Sequence, residues 1–272
     1  MPEPLLKVDG LQKRFGRGKN AYQALTDVSF EVGQGEIVGL VGESGSGKST
    51  IIRCLVGLEK EDAGTISYDG IDPVSASKAD LRRYRREVQM VFQDPYSSLD
   101  PRMTVQEILE EPMLVIGGFS PADRRARIHE LIDMVGLLPE HLTRHPRHFS
   151  GGQRQRIAIV RSLVVDPRVL LCDEPVSALD VSVQAQVLNL IKDMQRRLDL
   201  TVLFVSHDLA VVKYLCTRLV VLDKGVIAET GDVPAIYDAP QDPYTRALME
   251  AVPVPDPVLE RARRARRLEA AR

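Results

Sequence analysis

The stretch Val38–Thr50, with the sequence VGLVGESGSGKST, fits the pattern G-x-x-x-x-G-K-[ST]. The apolar run Ile37–Val41 predicts a buried strand before the glycines, and the residues after them predict a helix. Such a turn offers backbone N–H groups to phosphate oxygens, with the positive end of the helix dipole behind them. Lys48 would reach the β- and γ-phosphates, and the Ser49 hydroxyl would ligate Mg²⁺. The sequence therefore predicts a nucleoside-triphosphate site at Gly42, Glu43, Ser44, Gly45, Ser46, Gly47, Lys48, Ser49 and Thr50.

Length and charge exclude several classes of protein. The 272-residue chain suits one large domain or two small ones, and its net charge of −2 comes from 36 basic and 38 acidic side chains. Because this balance gives no bias toward polyanions, we expect no nucleic-acid partner. No apolar run approaches the ~18 residues of a bilayer span, and residues 1–4 lack the features of a secretory signal. We therefore expect a cytosolic protein.

The order of patterns along the chain predicts the fold class. Alternating apolar and polar residues over residues 5–41 predict an antiparallel sheet that leads into the glycine-rich turn, and residues 63–70 predict one more hairpin strand. From about residue 99 to 165 the apolar spacing is helical. Thereafter strands and helices alternate, which indicates a parallel sheet covered by helices. We predict an α/β phosphate-loop NTPase core with a mainly parallel sheet, an antiparallel β-subdomain and an inserted helical subdomain.

Two carboxylates, Asp173 and Glu174, follow the buried run Val169–Cys172. In a phosphate-loop protein the first such acid usually holds Mg²⁺ through its water shell. The second is placed to polarise a water that attacks the γ-phosphate, which is the task of a general base. An apolar run that ends in Asp-Glu is by itself mostly structural, but its combination with Lys48 predicts phosphoryl chemistry.

A histidine and a glutamine end two further predicted strands. His207 follows Thr201–Ser206, and Gln93 follows the strand that begins at Val88. The His207 imidazole would hydrogen-bond the γ-phosphate and hold the attacking water and Glu174 in register. The Gln93 amide would meet both Mg²⁺ and this water. Taken alone, each of these residues is more often a packing or surface residue.

The segment Ser150–Gln153, with the sequence SGGQ, predicts a second anion-binding helix N-terminus. Ser150 is suited to cap a helix, and the two glycines let the backbone approach an anion closely. The helix is predicted to run to Pro167. The alternative is an ordinary capped helix. With SGGQ the chain would have two anion-binding helix N-termini, whereas a single nucleotide needs only the one at the glycine-rich turn.

The ordered motifs GESGSGKS (42–49), SGGQ (150–153), LLCDEP (170–175) and SALD (177–180), with Gln93 and His207, resemble the ATP-binding subunit of an ABC transporter. This resemblance covers nearly the whole chain. In that family two ATP-binding domains pair head to tail, which implies an identical or homologous ATPase subunit as a partner. It also implies that SGGQ serves the ATP held by the partner and that SALD contacts the partner. The residues expected to act in trans are Ser150, Gly151, Gly152, Gln153 and Asp180.

The resemblance also implies roles for the site residues, with ATP and Mg²⁺ as cofactors. Glu174, His207 and Gln93 are the expected catalytic residues. The family stacks an aromatic ring on adenine; Phe15 best fits this place and Tyr22 is the alternative. The expected metal ligands are Ser49, Gln93 and Asp173.

Two segments resemble the oligopeptide/dipeptide importer branch of the family: residues 91–104 (VFQDPYSSLDPRMT) and 237–255 (YDAPQDPYTRALMEAVPVP). Members of this branch import peptides, nickel or other small solutes with separate membrane and solute-binding proteins. We therefore expect two integral membrane permease subunits and, indirectly, an extracytoplasmic solute-binding protein. The chain would lie peripherally on the cytoplasmic face of the inner membrane, and a surface around Gln93–Met103 would dock a short helix of a permease.

Cysteine usage argues against an iron–sulfur cluster. Many members of this branch carry extra C-terminal cysteines linked to such a cluster. This chain has none after Cys216, and Cys54, Cys172 and Cys216 each lie in an apolar stretch. We therefore expect no cluster and buried, unreactive thiols.

The predicted organisation is an ABC ATP-binding domain at 1–257 and a basic tail at 258–272. Within the domain, a helical subdomain lies at about 95–165 and the branch-specific C-terminal segment at about 237–257. The tail has two interpretations: a basic helix near the membrane surface, or a frayed terminus. We favour the frayed terminus, because chain termini are usually loosely held. The alternative function is a soluble ABC ATPase of a multiprotein enzyme complex, such as the phosphonate-cleaving lyase machinery.

Overall fold

A computed structural model of the chain describes residues 4–18 and 21–251. Within them the strands are β1 (Leu6–Phe15), β2 (Tyr22–Val32), β3 (Ile37–Val41), β4 (Ala63–Tyr68), β5 (Val88–Val91), β6 (Val169–Asp173), β7 (Thr201–Ser206), β8 (Arg218–Asp223) and β9 (Val226–Asp232). The α-helices are α1 (Lys48–Leu55), α2 (Lys78–Glu87), α3 (Pro95–Ser98), α4 (Val105–Ile116), α5 (Pro121–Met134), α6 (Gly151–Leu163), α7 (Val181–Leu198), α8 (Leu209–Leu215), α9 (Val233–Asp238) and α10 (Pro243–Ala251). Short 3₁₀ helices at Pro139–Thr143 and Pro146–His148 lie between α5 and α6.

These strands form two sheets. The larger has the order β5-β6-β7-β3-β8-β9, in which β9 pairs antiparallel with β8 and the other neighbours are parallel. The smaller sheet is antiparallel, with the order β2-β1-β4. The predicted α/β fold class is confirmed. Because β3, β5, β6 and β7 run in the same direction, the residues that follow them meet at one edge of the sheet.

Strand β3 has strands on both sides in the larger sheet, and all its residues are buried. Val38 and Leu40 face a hydrophobic cluster shared with α1 and the smaller sheet. Ile37 and Val41 face a second cluster, to which α4 through α8 contribute. A strand that is buried on both faces has a continuous run of apolar residues in its sequence. The position of β3 can therefore be predicted from the sequence.

Residues 95–163 contain α3 to α6 and the two 3₁₀ helices, in agreement with the predicted helical stretch. Thr104, Ser120 and Ser150 begin α4, α5 and α6, each through a capping box with the residue three positions later. The division of the chain into subdomains stays a prediction.

Three details of local structure differ from the sequence-based predictions. The helix after SGGQ ends at Leu163 and not at Pro167, because Asp166 takes a left-handed backbone conformation (φ 60°) that redirects the chain toward β6. Strand β4 does not form a hairpin with a neighbouring strand; it pairs with β1, much earlier in the chain. Helix α2 carries no clear sequence signal, because its charged sequence KADLRRYRRE buries only Tyr84.

Helices α9 and α10 form the described part of the C-terminal segment. They follow β9 and bury Val233, Ile236, Thr245 and Met249. Residues 252–257 of the predicted segment and the predicted basic tail at 258–272 lie outside the described residues.

Candidate active site

The glycine-rich turn connects the buried β3 to the N-terminus of α1. Gly42 must lack a side chain, because a Cβ there would lie 2.1 Å from the backbone oxygen of Leu222. Gly47 caps α1 with a positive φ of 110°, a conformation that favours glycine. Lys48 is buried, and its Nζ donates to the carbonyl oxygens of Gly42 and Glu43, each at 2.8 Å. The turn therefore curls around the Lys48 ammonium.

A cavity of about 510 Å³ opens above this turn. The turn and α1 form its floor, the edge of the β1–β2 pair forms one wall, and the loops after β5, β6 and β7 form another. It is lined by Phe15, Tyr22, Ala24, Ser44, Gly45, Gly47, Lys48, Ser49, Thr50, Gln93, Glu174 and His207. The fold thus gathers residues from six separate places in the sequence, and Ala24 is the one lining residue that was not predicted.

Three predicted residues of the turn, Gly42, Glu43 and Ser46, do not line the cavity. They stabilise the turn through backbone hydrogen bonds. Gly42 and Glu43 hold Lys48 through their carbonyl groups. Ser46 is buried, and its backbone oxygen accepts a hydrogen bond from the Gly225 N–H at 2.8 Å. The turn between β8 and β9 therefore supports the glycine-rich turn from below, a contact that no local sequence pattern indicates.

Asp173 lies beneath the cavity, at the end of β6. Its Oδ1 accepts a hydrogen bond from the Ser49 hydroxyl at 3.2 Å. Burial raises the pKa of the Asp173 carboxyl, and the bond from Ser49 opposes this rise. Burial likewise lowers the pKa of the Lys48 ammonium, and the carboxylates of Glu174 and Asp173 oppose that change. The floor of the cavity thus holds mutually stabilising charges of opposite sign.

Glu174 contacts the other two predicted catalytic residues, His207 and Gln93. Its Oε2 lies 2.9 Å from Nδ1 of His207 and accepts from Nε2 of Gln93 at 3.5 Å. The Glu174 backbone has a left-handed φ of 46°, and its N–H donates to Val205 of β7 at 3.1 Å. A strained non-glycine residue held by a neighbouring strand is typical of a functional site. Sequence patterns do not reveal this strain.

The two candidate aromatic residues are cross-strand neighbours. Phe15 ends β1, Tyr22 begins β2, and the two are paired in the sheet register. Both line the cavity, with Tyr22 the more exposed. The Lys13 ammonium lies 5.0 Å from the centre of the Phe15 ring and also pairs with Glu59 at 3.3 Å, which holds the Phe15 side of the cavity in place. Which ring stacks on a base stays open.

The SGGQ segment and Asp180 lie outside this cavity. Ser150 caps α6, and Asp180 caps α7. The two helix starts are in close contact, because a Cβ on Gly152 would lie 2.4 Å from Cγ1 of Val183. The predicted residues Gly151 and Gln153 occupy the first turn of α6. The chain therefore has two adjacent helix N-termini that do not line its own cavity, and their binding role stays a prediction.

Comparisons with known proteins relate the chain to one protein family. A family model described as "ABC transporter" matches residues 25–177, a range that contains the glycine-rich turn, SGGQ and the two carboxylates. An ATP-binding protein of Brucella ovis named for peptide import is 50% identical over 254 residues, which cover 93% of this chain and 80% of that protein. The oligopeptide transport ATP-binding protein OppF of Streptococcus pyogenes serotype M1 is 47% identical over 263 residues, 96% of this chain and 86% of that protein.

Solved structures show the same likeness. The ATP-binding cassette MJ0796, solved as a dimer in a post-hydrolysis state bound to ADP and phosphate, has a TM-score of 0.74 and 31% identity. The alignment covers 84% of this chain and 98% of that one. The architecture around the cavity is therefore that of a known nucleotide-binding cassette.

Proposed function

The chain belongs to the ABC transporter family, and from this premise we propose that it is the ATP-binding and ATP-hydrolysing subunit of an importer. The importer takes up peptides or a related small solute through separate membrane subunits. The observation that carries the proposal is the Glu174 carboxylate, which meets His207 and Gln93 in the same cavity as Lys48. This arrangement places the Glu174 base, the Lys48 cation and the backbone N–H groups of the glycine-rich turn around the proposed position of the γ-phosphate.

Each residue has a role in ATP hydrolysis under this proposal. The backbone of the glycine-rich turn and Lys48 bind the β- and γ-phosphates. Glu174 orients the attacking water and accepts its proton. His207, whose Nδ1 faces Glu174, has Nε2 left to face the γ-phosphate, where an N–H at Nε2 would donate to the oxygen on which charge develops. Gln93, whose amide contacts the same carboxylate oxygen of Glu174 as His207, helps to fix the position of the water.

The donor set fits Mg²⁺ as the cofactor. Ser49 and Gln93 offer neutral oxygens and Asp173 a carboxylate, and such hard oxygen ligands are those that Mg²⁺ prefers. The contact of 3.2 Å between Ser49 and Asp173 places the first and last of these groups side by side. When bound, the ion would neutralise charge on the β- and γ-phosphates. We propose Ser49, Gln93 and Asp173 as its ligands, directly or through water.

We further propose that two ATPase subunits share each ATP. The SGGQ segment and Asp180 lie outside the chain's own cavity and would face the nucleotide of a partner. The MJ0796 cassette is dimeric, which supports this arrangement. The partner is a second copy of this chain or a homologous subunit.

Arginine in place of Ser150 tests the shared site. We expect Ser150→Arg to block ATP hydrolysis while each chain still binds nucleotide, because the bulky cation occupies the helix N-terminus meant for the partner's γ-phosphate. Ser120→Arg is the matched control, because Ser120 is also an exposed capping-box serine, at the start of α5. This control should retain full turnover.

Mixing experiments then reveal whether the site is shared. In a homodimer, Ser150→Arg mixed with Lys48→Ala regenerates one intact site, so turnover should exceed the sum of the two separate variants. Activity that never exceeds this sum in a verified homodimer would argue against head-to-tail sharing.

The names of the relatives support an importer rather than a soluble enzyme complex, because they refer to peptide import and oligopeptide transport. A groove suited to a membrane partner is also present. Its volume is about 720 Å³, and its walls come mainly from α2, α4, α6 and β5. Phe92 and Val115 expose apolar surface there, while Arg82, Arg85 and Arg161 contribute cations. Such a surface suits a short amphipathic helix.

A second cavity of about 610 Å³ continues this groove along the predicted docking surface, and Tyr96 and Met103 are among the residues that line it. Leu99 is buried, so it packs the joint between α3 and the core rather than a partner. Tyr96 is 61% exposed, with the Arg154 guanidinium 4.1 Å from its ring centre. The exposed Tyr96 is therefore the better position for a probe.

Cross-linking from Tyr96→Cys tests the docking. We expect cross-links to an integral membrane subunit in the assembled complex, whereas Tyr214→Cys, at a similarly exposed position on α8, should give none. The native cysteines do not compete, because all three are buried and burial raises the pKa of the Cys54 thiol to about 11. Cross-links only to soluble proteins, in a preparation with full coupled activity, would favour the soluble enzyme complex.

The proposed location is the cytoplasmic face of the inner membrane, where the chain would bind peripherally through its permeases. Over residues 4–18 and 21–251, no helix has the length and apolarity required to cross a bilayer. The solute-binding protein would act only through the permeases. We keep the proposed boundaries of 1–257 for the ATP-binding domain and about 95–165 for its helical subdomain.

A further inference from the structure

The C-terminal helix α10 touches the glycine-rich turn directly. Tyr244, in the first turn of α10, accepts a hydrogen bond at its hydroxyl oxygen from the Glu43 N–H, at 3.1 Å. The two residues are 201 positions apart in the sequence. Tyr244 does not line the nucleotide cavity, so none of the roles described above includes it.

The hydrogen bond from Glu43 involves one of the two peptide units that hold Lys48. The N–H of the Gly42–Glu43 peptide donates to Tyr244, and the C=O of that peptide accepts from the Lys48 Nζ at 2.8 Å. A peptide whose N–H is already hydrogen-bonded is a stronger acceptor at its oxygen, because hydrogen bonds in a chain polarise one another. Tyr244 and Lys48 are therefore linked through a single planar group.

The main-chain start of α10 is firmly anchored, which gives Tyr244 a defined position. Glu229 of β9 accepts from the backbone N–H groups of Gln241 and Asp242, at 3.0 and 3.1 Å. Asp242 in turn accepts from the N–H groups of Tyr244 and Thr245, at 2.8 and 3.1 Å. Since the sheet holds Glu229 and Glu229 holds the helix start, the Tyr244 ring is carried by rigid elements.

The surroundings keep the Tyr244 hydroxyl neutral. Burial raises the pKa of this hydroxyl. The hydrogen bond from the Glu43 N–H opposes the rise, and the carboxylates of Glu43 and Asp223 add to it. A neutral hydroxyl can accept the Glu43 N–H without bringing a negative charge next to the phosphate site.

The C-terminal segment has a second contact with the catalytic loops. The Tyr237 hydroxyl of α9 donates to the backbone oxygen of Leu209, two residues after His207. The same segment thus contacts the turn that holds Lys48 and the loop that carries His207.

We propose that Tyr244 is a positioning residue that fixes the Gly42–Glu43 peptide and, through it, holds Lys48 where the β- and γ-phosphates of ATP bind. The proposal rests on the ATP site proposed above. It gives the C-terminal segment a role within the nucleotide site itself, separate from any contact with a membrane subunit.

Removal of the hydroxyl tests the proposal while leaving the ring in place. We expect Tyr244→Phe in the full chain to weaken MgATP binding about three- to tenfold, the range for loss of one hydrogen bond. The KM for ATP should rise by a similar factor, while kcat at saturating ATP changes less than about twofold. Tyr214→Phe is the matched control; it removes a tyrosine hydroxyl that contacts Asn189, away from the cavity, and should leave MgATP affinity unchanged.

A double-mutant cycle separates positioning from a general loss of structure. Against a Lys48→Ala background, Tyr244→Phe should change MgATP affinity less than twofold, because its effect acts through Lys48. The thermal midpoint of Tyr244→Phe without nucleotide should match that of Tyr214→Phe. An equal loss of affinity in both backgrounds, or no loss in the native background, overturns the proposal for Tyr244.

The outcome for Lys48 is a separate test of the ATP site. Weaker binding in Lys48→Ala combined with unchanged binding in Tyr244→Phe would reject only the role of Tyr244. Unchanged MgATP binding in Lys48→Ala would reject the ATP site itself.

Discussion

Glutamine in place of Glu174 abolishes ATP turnover and leaves ATP binding intact: this is the largest effect we expect from a single substitution. The amide is nearly isosteric with the carboxylate, but it cannot accept a proton from water, and loss of a general base lowers a rate by roughly 10²–10⁴-fold. The side chain can still reach His207 and Gln93, so the cavity should keep its shape. Steady-state phosphate release and calorimetric binding of MgATP measure the two quantities separately.

The same substitution should stabilise the ATP-bound dimer. It removes a negative charge beside the γ-phosphate, and the dimer no longer hydrolyses the ATP that holds it together. Size-exclusion chromatography with MgATP should detect the larger species. Glu130→Gln on α5, an exposed glutamate paired with Arg127, is the control and should keep normal turnover. Turnover of Glu174→Gln within a few-fold of the native protein would reject Glu174 as the base.

Alanine in place of Lys48 should weaken MgATP binding by about tenfold to a hundredfold and remove most of the hydrolysis. Hydrogen bonds to charged groups contribute about 1.5–3 kcal/mol each, and the Lys48 side chain is buried beside the cavity. Calorimetry on the purified chain measures the loss of affinity. The substitution removes contacts with the phosphates of ATP. The part of ATP binding that depends on stacking of the base against Phe15 or Tyr22 should therefore persist.

A half-buried lysine outside the nucleotide cavity provides the control for this loss of charge. Lys192 lies on α7, where its Nζ is 4.6 Å from the ring centre of Tyr214, outside the nucleotide cavity. Lys192→Ala should bind and hydrolyse ATP normally. If Lys48→Ala keeps both native affinity and native turnover, the phosphate-binding role of the glycine-rich turn is wrong.

Local sequence patterns predicted much of the site because each motif follows a buried strand. The apolar runs before Gly42, Asp173 and His207 are continuous, since strands in the middle of a parallel sheet are buried on both faces. Parallel strands end at a common edge, so residues after different strands can be predicted to lie together. The resemblance to a known family supplied the roles of these residues and the expected partner.

Other features of the structure leave only a weak pattern in the sequence, or none. Helix α2 is covered by charged residues, and only Tyr84 of that helix is buried. The pairing of β4 with β1 depends on contacts between distant segments. Both Phe15 and Tyr22 suit an aromatic wall, and their neighbouring positions in the register explain why the sequence cannot choose between them.

The sequence by itself determined the fold class, the position of the glycine-rich turn and the polar residues that follow the buried strands, because strand burial and turn chemistry are local properties. Only the tertiary structure decided how these residues are held. The left-handed backbone of Glu174 and the bond from Glu43 to Tyr244 both depend on segments far away in the chain. A hydrogen bond between residues 201 positions apart leaves no periodicity in the sequence, because it arises only when independently formed elements pack together.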